Sequence, residues 1–343
     1  MLRVGLIGAG ANTRARHVPG LLSQPEVSLT AVCNRRPEST AQAAAELGIP
    51  RTFERWEDLV ASPEVDAVVI GTWPYLHAPI TLAALAAGKH VLTEARMAMN
   101  AAEARAMLAA SRAHPGLVCQ IVPSPFGLVG DAHVKSLLAE GRLGEVREVS
   151  VVHRTAALAD PSAPLHWRQD ASLSGVNMLT LGIVHETLSR WLPQPVRVLA
   201  QAHAFTPRRI DPHSGQVRAV GTPDSVQVLT ELPGGARATY QLSGVTPFGQ
   251  AGRITIYGTK GALEYNLSTD EVRLAGPDGW NPEPIPEGQR GGWRVEADWV
   301  ASIRTGAPVR YTTFEEGVAY MVFTEAVARS AATGTAIVLE ARG

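Results

Sequence analysis

The run Leu2-Arg3-Val4-Gly5-Leu6-Ile7-Gly8-Ala9-Gly10 is a short apolar strand that breaks into a glycine turn. After a polar bend at Asn12-Thr13 the chain continues as a predicted helix through Leu22. Strand, glycine turn and helix, in that order, are how a Rossmann-type domain holds the pyrophosphate of a dinucleotide. Gly8 permits the tight turn and Gly10 lets the backbone approach the phosphates. The helix start adds free N–H groups and a partial positive charge. The same order also serves a tight turn that only packs helix on sheet. Thr13 stands where a third glycine is usual, and Arg14 and Arg16 nearby either help hold phosphate or are solvated.

Residues 1–122 go on alternating short β runs with helical stretches. Strands are predicted over Leu2–Ile7, Ser28–Cys33, Ala67–Gly71, His90–Thr93 and Val118–Ile121, and helices over Pro37–Leu47, His77–Ala87 and Asn100–Ala113. This α/β alternation reads as a doubly wound parallel sheet. The pattern changes at Pro123-Ser124-Pro125, which divides the chain into 1–122 and 123–343. In the second part Ala236, Ala238, Tyr240 and Leu242 alternate with Arg237, Thr239, Gln241 and Ser243, a half-buried strand. Hairpin turns at Pro233-Gly234-Gly235 and at Gly258-Thr259-Lys260-Gly261 predict a mostly antiparallel sheet with helices on one face. Thr313 and Glu316 form a capping box for a helix ending near Gly334.

Bulk properties narrow the function. A net charge of −1 over 343 residues provides no basic footprint for nucleic acid or an anionic membrane. No stretch has the apolar length of a membrane span and no signal-peptide pattern is present, so a cytoplasmic location is expected. Cys33 and Cys119 lie far apart in apolar segments, suggesting buried thiols and no metal cluster. The only lysines are Lys89, Lys135 and Lys260.

The chain resembles the Gfo/Idh/MocA oxidoreductases along nearly its whole length, through Val4–Gly10, Asp66–Thr72, Leu76–Pro79, Gly88–Leu92, Glu140–Val146, Trp167-Arg168 with Asp170, Gly175, Gly182, Trp191 and Ile256–Gly261. The resemblance implies a Rossmann domain, then an α/β domain whose large open sheet often supports homo-oligomers. It also implies action on sugars, inositols or related polyols with NAD or NADP. Thr72, Trp73, Pro74 and His77 then fall on the nicotinamide side, although Trp73-Pro74 replaces the usual Pro-Asn. A plain loop leading into a helix at His77 is the other reading. Glu94 belongs with the cofactor-contacting positions.

The departures are as informative. Where the family has Glu-Lys-Pro, with a lysine on the substrate, this chain has Glu94-Ala95-Arg96. Arg96 either replaces the charge at the substrate or is solvated or structural. The family's aspartate and histidine, spaced i, i+4 on a helix, become Thr180 and Val184. His185 is one residue on, about 100° around the helix. It is a catalytic candidate or, on a stripe with Leu181 and Leu188, a core histidine. Asn177 and Thr180 are candidates for a substrate hydroxyl or plain helix surface. In Trp167-Arg168-Gln169-Asp170, Arg168 suits a carboxylate or sugar hydroxyl and Asp170 an acid–base role, unless both form surface ion pairs. His153 and His166 are further candidates. At the end of the second strand Asn34-Arg35-Arg36 replaces the acidic ribose ligand of NAD-binding sites, which favours NADP, with NAD possible. The expected function is an NAD(P)-dependent oxidoreductase of a sugar-like substrate with rearranged acid–base groups. The alternatives are a cofactor-binding sensor or structural partner without turnover, and an NAD-assisted lyase or glycosidase.

Overall fold

The computed structural model describes residues 1–249 and 252–339, which fall into two compact units. The first is Met1–Pro123 together with Arg294–Met321, and the second is Ser124–Trp293 with the chain from Val322 onward. A single cut after residue 122 therefore omits one feature: a late segment returns to the first unit. The reason is packing, since Gly317 leaves no room for a side chain against Ile121 and Met97, and Met97 N–H donates to the Tyr320 hydroxyl.

In the first unit the strands are β1 (Leu2–Ile7), β2 (Val27–Cys33), β3 (Arg51–Thr52), β4 (Ala67–Ile70), β5 (His90–Thr93) and β6 (Cys119–Ile121). They form one parallel sheet in the order β3-β2-β1-β4-β5-β6. The helices are α1 (residues 11–22), α2 (Pro37–Leu47), α3 (Trp56–Ala61), α4 (His77–Ala86) and α5 (Ala101–Ala113). The predicted strands and helices agree with these to within a residue or two, while α3 and the edge strand β3 were not anticipated. Strand order reverses between β1 and β4, so the carboxyl ends of these strands flank a topological switch point, where open α/β sheets bind ligands. Val68, Ile70, Ile80, Leu85 and Leu59 are fully buried around the sheet. Each such side chain contributes about 1.5–3 kcal/mol on leaving water.

The second unit adds α6 (Asp131–Ala139), β7 (Val146–Arg154), α7 (Ala171–Ser174), α8 (Leu181–Ser189), β8 (Arg197–His203), β9 (Arg208–Ile210), β10 (Val217–Ala219), β11 (Ser225–Glu231), β12 (Arg237–Ser243), β13 (Arg253–Gly258), β14 (Ala262–Asn266), β15 (Val272–Gly276) and β16 (Gly279–Glu283). Chain order then gives α9 (Val295–Thr305), α10 (Phe314–Thr333) and β17 (Ile337–Val338). Nine strands pair in the order β16-β15-β14-β13-β7-β12-β11-β8-β17, antiparallel except for the parallel pair β7 and β12. Ala238, Tyr240 and Leu242 point into the core with Val149, Val151 and Val184, as the alternation requires. On the opposite face Leu199 and Leu229 stand as an exposed cross-strand pair, 40 % and 58 % accessible. The Thr313–Glu316 capping box is formed, with reciprocal bonds of 2.7 and 3.1 Å.

Candidate active site

At the switch point Gly8 has φ +88°, and a Cβ on it would come within 2.7 Å of the Gly71 carbonyl carbon and the Thr72 nitrogen. The two loops are thus interlocked backbone to backbone. Thr13 closes the arrangement: it is buried, and its Oγ1 donates to Gly8 O at 3.0 Å. A Cβ on Gly71 would overlap Thr13 Oγ1. The close helix-to-strand approach that a third glycine normally allows is therefore provided from the other side, by Gly71. Gly10 is different. It is exposed, and a Cβ there would meet nothing nearer than Gly71 O at 3.9 Å. Neither φ nor packing within the chain asks for glycine at this place. A bare, outward-facing backbone at the start of a helix is the cradle into which a pyrophosphate fits. Thr72 Oγ1 is a further buried polar atom with no partner beside this turn.

Several residues assigned to the cofactor prove to brace this cradle. Asn34 Oδ1 accepts the Ala9 N–H at 2.7 Å and its Nδ2 donates to Ser39 O at 2.8 Å, so both ends of the amide are committed. Arg14 Nε donates to Ala9 O at 2.9 Å and the guanidinium pairs with Glu46, so it is tied within the protein. His77 is fully buried, its ring pinned between Arg96 O at 2.9 Å and Thr72 O at 3.0 Å; it links the loops after β4 and β5 as the first residue of α4. Trp73 is half-buried and Pro74 buried in the turn before it. Arg96 is 3 % exposed, which overturns the solvated reading. Arg35 and Arg36, in contrast, are exposed and make no side-chain bond among the described residues.

The sequence reading missed His17. The stripe Thr13, His17, Leu21 on the buried side of α1 was its only local signal. Nδ1 lies 2.6 Å from Glu296 Oε1 and Nε2 lies 3.0 Å from Glu94 Oε1, which also accepts from Asn12 Nδ2. Gly20 makes the space, since a Cβ there would be 2.5 Å from Glu296 Oε2. Burial opposes the charge on His17, but two carboxylates bonded to the ring outweigh it and raise the pKa to about 9. Burial likewise opposes the Glu94 charge, and the bond from His17 holds its carboxyl below the usual range. Asn12 and Glu94 are thereby locked together at the edge of the glycine turn.

In the second unit two catalytic assignments are corrected. His185 is a core residue: 2 % exposed, stacked on Phe323 with centroids 3.6 Å apart, and bonded to Tyr240 Oη at 2.8 Å and Gln194 Oε1 at 2.9 Å. Burial lowers its pKa to about 4. With both nitrogens occupied it has no free end for a substrate. Asp170 caps α7, accepting Ser172 N–H at 2.9 Å, and pairs with Arg218 at 2.9 Å. Burial opposes its charge, but the bonds from Ser172 and Arg218 hold it ionised, so it cannot act as an acid. Arg168 is exposed and lies 4.4 Å over the Trp167 ring. Asn177 is 1 % exposed and donates to Ser174 O at 2.6 Å, an internal brace instead of helix surface. Thr180 precedes α8 and its Oγ1 is 3.2 Å from His153 Nδ1. The lysines are no replacement for the missing one: Lys89 Nζ donates to Ser62 O and Val65 O, Lys135 pairs with Asp131, and Lys260 sits in the exposed β13–β14 turn.

Residues 2–121 match the model of an oxidoreductase family with an NAD-binding Rossmann fold, and residues 132–264 match the GFO/IDH/MocA C-terminal domain. The chain belongs to the Gfo/Idh/MocA oxidoreductases. It is 30 % identical to 1,5-anhydro-D-fructose reductase of Ensifer adhaerens, covering 99 % of both chains. It is 26 % identical to levoglucosan dehydrogenase of Pseudarthrobacter phenanthrenivorans, over 80 % of this chain and 76 % of that one. A levoglucosan dehydrogenase structure, in complex with NADH and L-sorbose, shares the fold with a TM-score of 0.88, 23 % identity and 99 % coverage of each chain. This Gfo/Idh/MocA member is an NAD(P)-dependent oxidoreductase by that membership. The glycine turn, with its open Gly10, is where its dinucleotide pyrophosphate fits.

Proposed function

We propose that this oxidoreductase moves hydride between the nicotinamide and an alcohol or carbonyl of a sugar-like molecule, with NADP(H) as the preferred cofactor. Bound there, the dinucleotide supplies the hydride acceptor or donor. The chain's own part is to hold it: the backbone at Gly8–Gly10 and the start of α1 take the pyrophosphate, and Thr72 and Glu94 border the nicotinamide side. The substrate class is supported by the anhydro-sugar relatives. The cofactor preference rests on one observation, the pair of exposed, uncommitted guanidiniums of Arg35 and Arg36 just beyond β2, where no carboxylate stands and the Asn34 amide is already used. A guanidinium binds a 2′-phosphate through charge-assisted bonds.

Fluorescence titration with NADPH and NADH tests this. NADPH is expected to bind more tightly, and Arg35→Ala with Arg36→Ala to remove the difference. One charge-assisted bond of about 1.5–3 kcal/mol corresponds to roughly tenfold or more in Kd. Equal or tighter NADH binding refutes the cofactor preference. Turnover on anhydro sugars, inositols and sugar acids tests the substrate class. Cofactor binding with no redox change in any of them would favour a non-redox or transiently NAD-assisted role. The exposed face carrying Leu199 and Leu229 is the surface on which this reading places a homo-oligomer.

A further inference from the structure

The usual acid–base groups are missing, and the two replacements expected from sequence are spent on structure. His153 is placed differently. It lies at the carboxyl end of β7, on the face of that strand that carries the buried Val149 and Val151. Period-2 alternation therefore turns it toward the helix-covered side. Thr180, the residue before α8, stands where the family has its aspartate, and its Oγ1 is 3.2 Å from His153 Nδ1. The ring has Phe126 at 5.7 Å on one side. On another it has the backbone of Gly252, where a Cβ would come within 2.6 Å of His153 Cδ2. The ring is thus seated by three separate segments of the second unit.

The nitrogens decide the chemistry. His17, His77 and His185 each have both ring nitrogens engaged. His153 has only Nδ1 engaged, and its Nε2 makes no hydrogen bond among the described residues. When Nδ1–H donates to Thr180 Oγ1, the lone pair is on Nε2, at the uncommitted end. Burial lowers the His153 pKa, keeping the ring neutral near pH 7, and its own backbone only partly opposes this. A neutral, half-buried imidazole with one nitrogen anchored and the other open is how a general base is built.

Resting on the hydride-transfer reading above, we propose that His153 is the general acid–base of this oxidoreductase and that Thr180 is its positioning residue. In the oxidative direction the substrate O–H bond breaks and its proton forms the Nε2–H bond of an imidazolium. The carbinol C–H bond breaks as its hydride passes to the oxidised nicotinamide dinucleotide, and the carbon–oxygen bond becomes a carbonyl. The imidazolium returns its proton to water. Reduction runs the same steps backward. The pair thus takes over with a threonine and a strand histidine what the family does with an aspartate and a histidine on one helix.

The test compares wild type, His153→Gln, Thr180→Val and Thr180→Ser in the full chain. On the best substrate of the anhydro-sugar and polyol panel, His153→Gln is expected to lower kcat by roughly 10²–10⁴-fold, with the NADH Kd unchanged. Thr180→Val is expected to lower kcat less, leave KM nearly unaltered and move the midpoint of the kcat–pH profile, and Thr180→Ser to restore both. Long-range ¹H–¹⁵N spectra of the imidazole provide a readout independent of turnover: the Nδ1–H tautomer in wild type, lost in Thr180→Val. Undiminished turnover in His153→Gln, or an Nε2–H tautomer in wild type, overturns the proposal. Failure of the wild type to bind NADH strikes the functional reading instead, and the tautomer still decides the geometry proposed for His153.

Discussion

Wild-type stability is expected to fall between pH 6.5 and about 9 because of a single residue, His17. The ring is fully buried between Glu94 and Glu296, and its pKa rises from 6.5 to about 9 on folding. The folded value lies above the unfolded one. The stabilisation is therefore complete below pH 6.5 and disappears as pH rises through about 9. A shift of this size corresponds to about 3 kcal/mol, at 1.36 kcal/mol per pKa unit. That is a large part of the 5–15 kcal/mol typical of a folded protein. In His17→Gln the cation is gone and two buried carboxylates face a neutral amide. Removing one partner of a buried ion pair costs about 3–5 kcal/mol, so the variant is expected to be less stable at pH 6. The gap should narrow toward pH 9.5, where wild-type His17 also loses its proton. Denaturant unfolding of both proteins at matched concentration across this range measures it, and the His17 C2–H resonance reports the titration directly. A flat wild-type profile, or a His17→Gln profile of the same slope, refutes the reasoning.

Two glycines of the turn are expected to separate binding from folding. Gly71→Ala forces a Cβ onto Thr13 Oγ1 and Gly8 O and should lower Tm by several degrees, as overpacking costs about 1–3 kcal/mol. Gly10→Ala meets only open space and should leave Tm nearly unchanged while weakening NADH binding; the reverse pattern in calorimetry and fluorescence titration would remove the cradle at Gly10. Ala95→Lys alone should not produce ordinary polyol dehydrogenase activity, because Thr180 and Val184 cannot act with the lysine as a unit. Robust NAD(P)⁺ reduction by that single variant would contradict this. Leu229→Arg, on the exposed face of the nine-stranded sheet, should dissociate a homo-oligomer in light scattering; a monomeric wild type at micromolar concentration would end that expectation.

The local signals were carried by short-range physics. The strand–turn–helix order at Leu2–Leu22, the Pro37–Leu47 helix and the alternation at Ala236–Ser243 depend on period and on glycine, and all three appear in the structure. The parallel pairing of β7 with β12 was not legible, since nothing in either strand names its neighbour. The roles of polar side chains were the least legible. His185 lies on an apolar stripe, but only the nearby Tyr240, Gln194 and Phe323 make it a core residue. Asp170 became a helix cap and ion-pair partner because Arg218, far along the chain, reaches it.

From its own residues the sequence determined the Rossmann architecture, the glycine cradle, the family and the loss of the usual lysine, aspartate and histidine. Those features are written in contiguous residues and in spacing along one strand or helix. Tertiary structure alone decided which polar groups are spent and which are free. Glu296 reaches His17 across 279 positions of sequence and Thr180 reaches His153 across 27. Whether an imidazole is charged, neutral or inert depends on the groups that burial brings to its two nitrogens, and burial is a property of the folded chain.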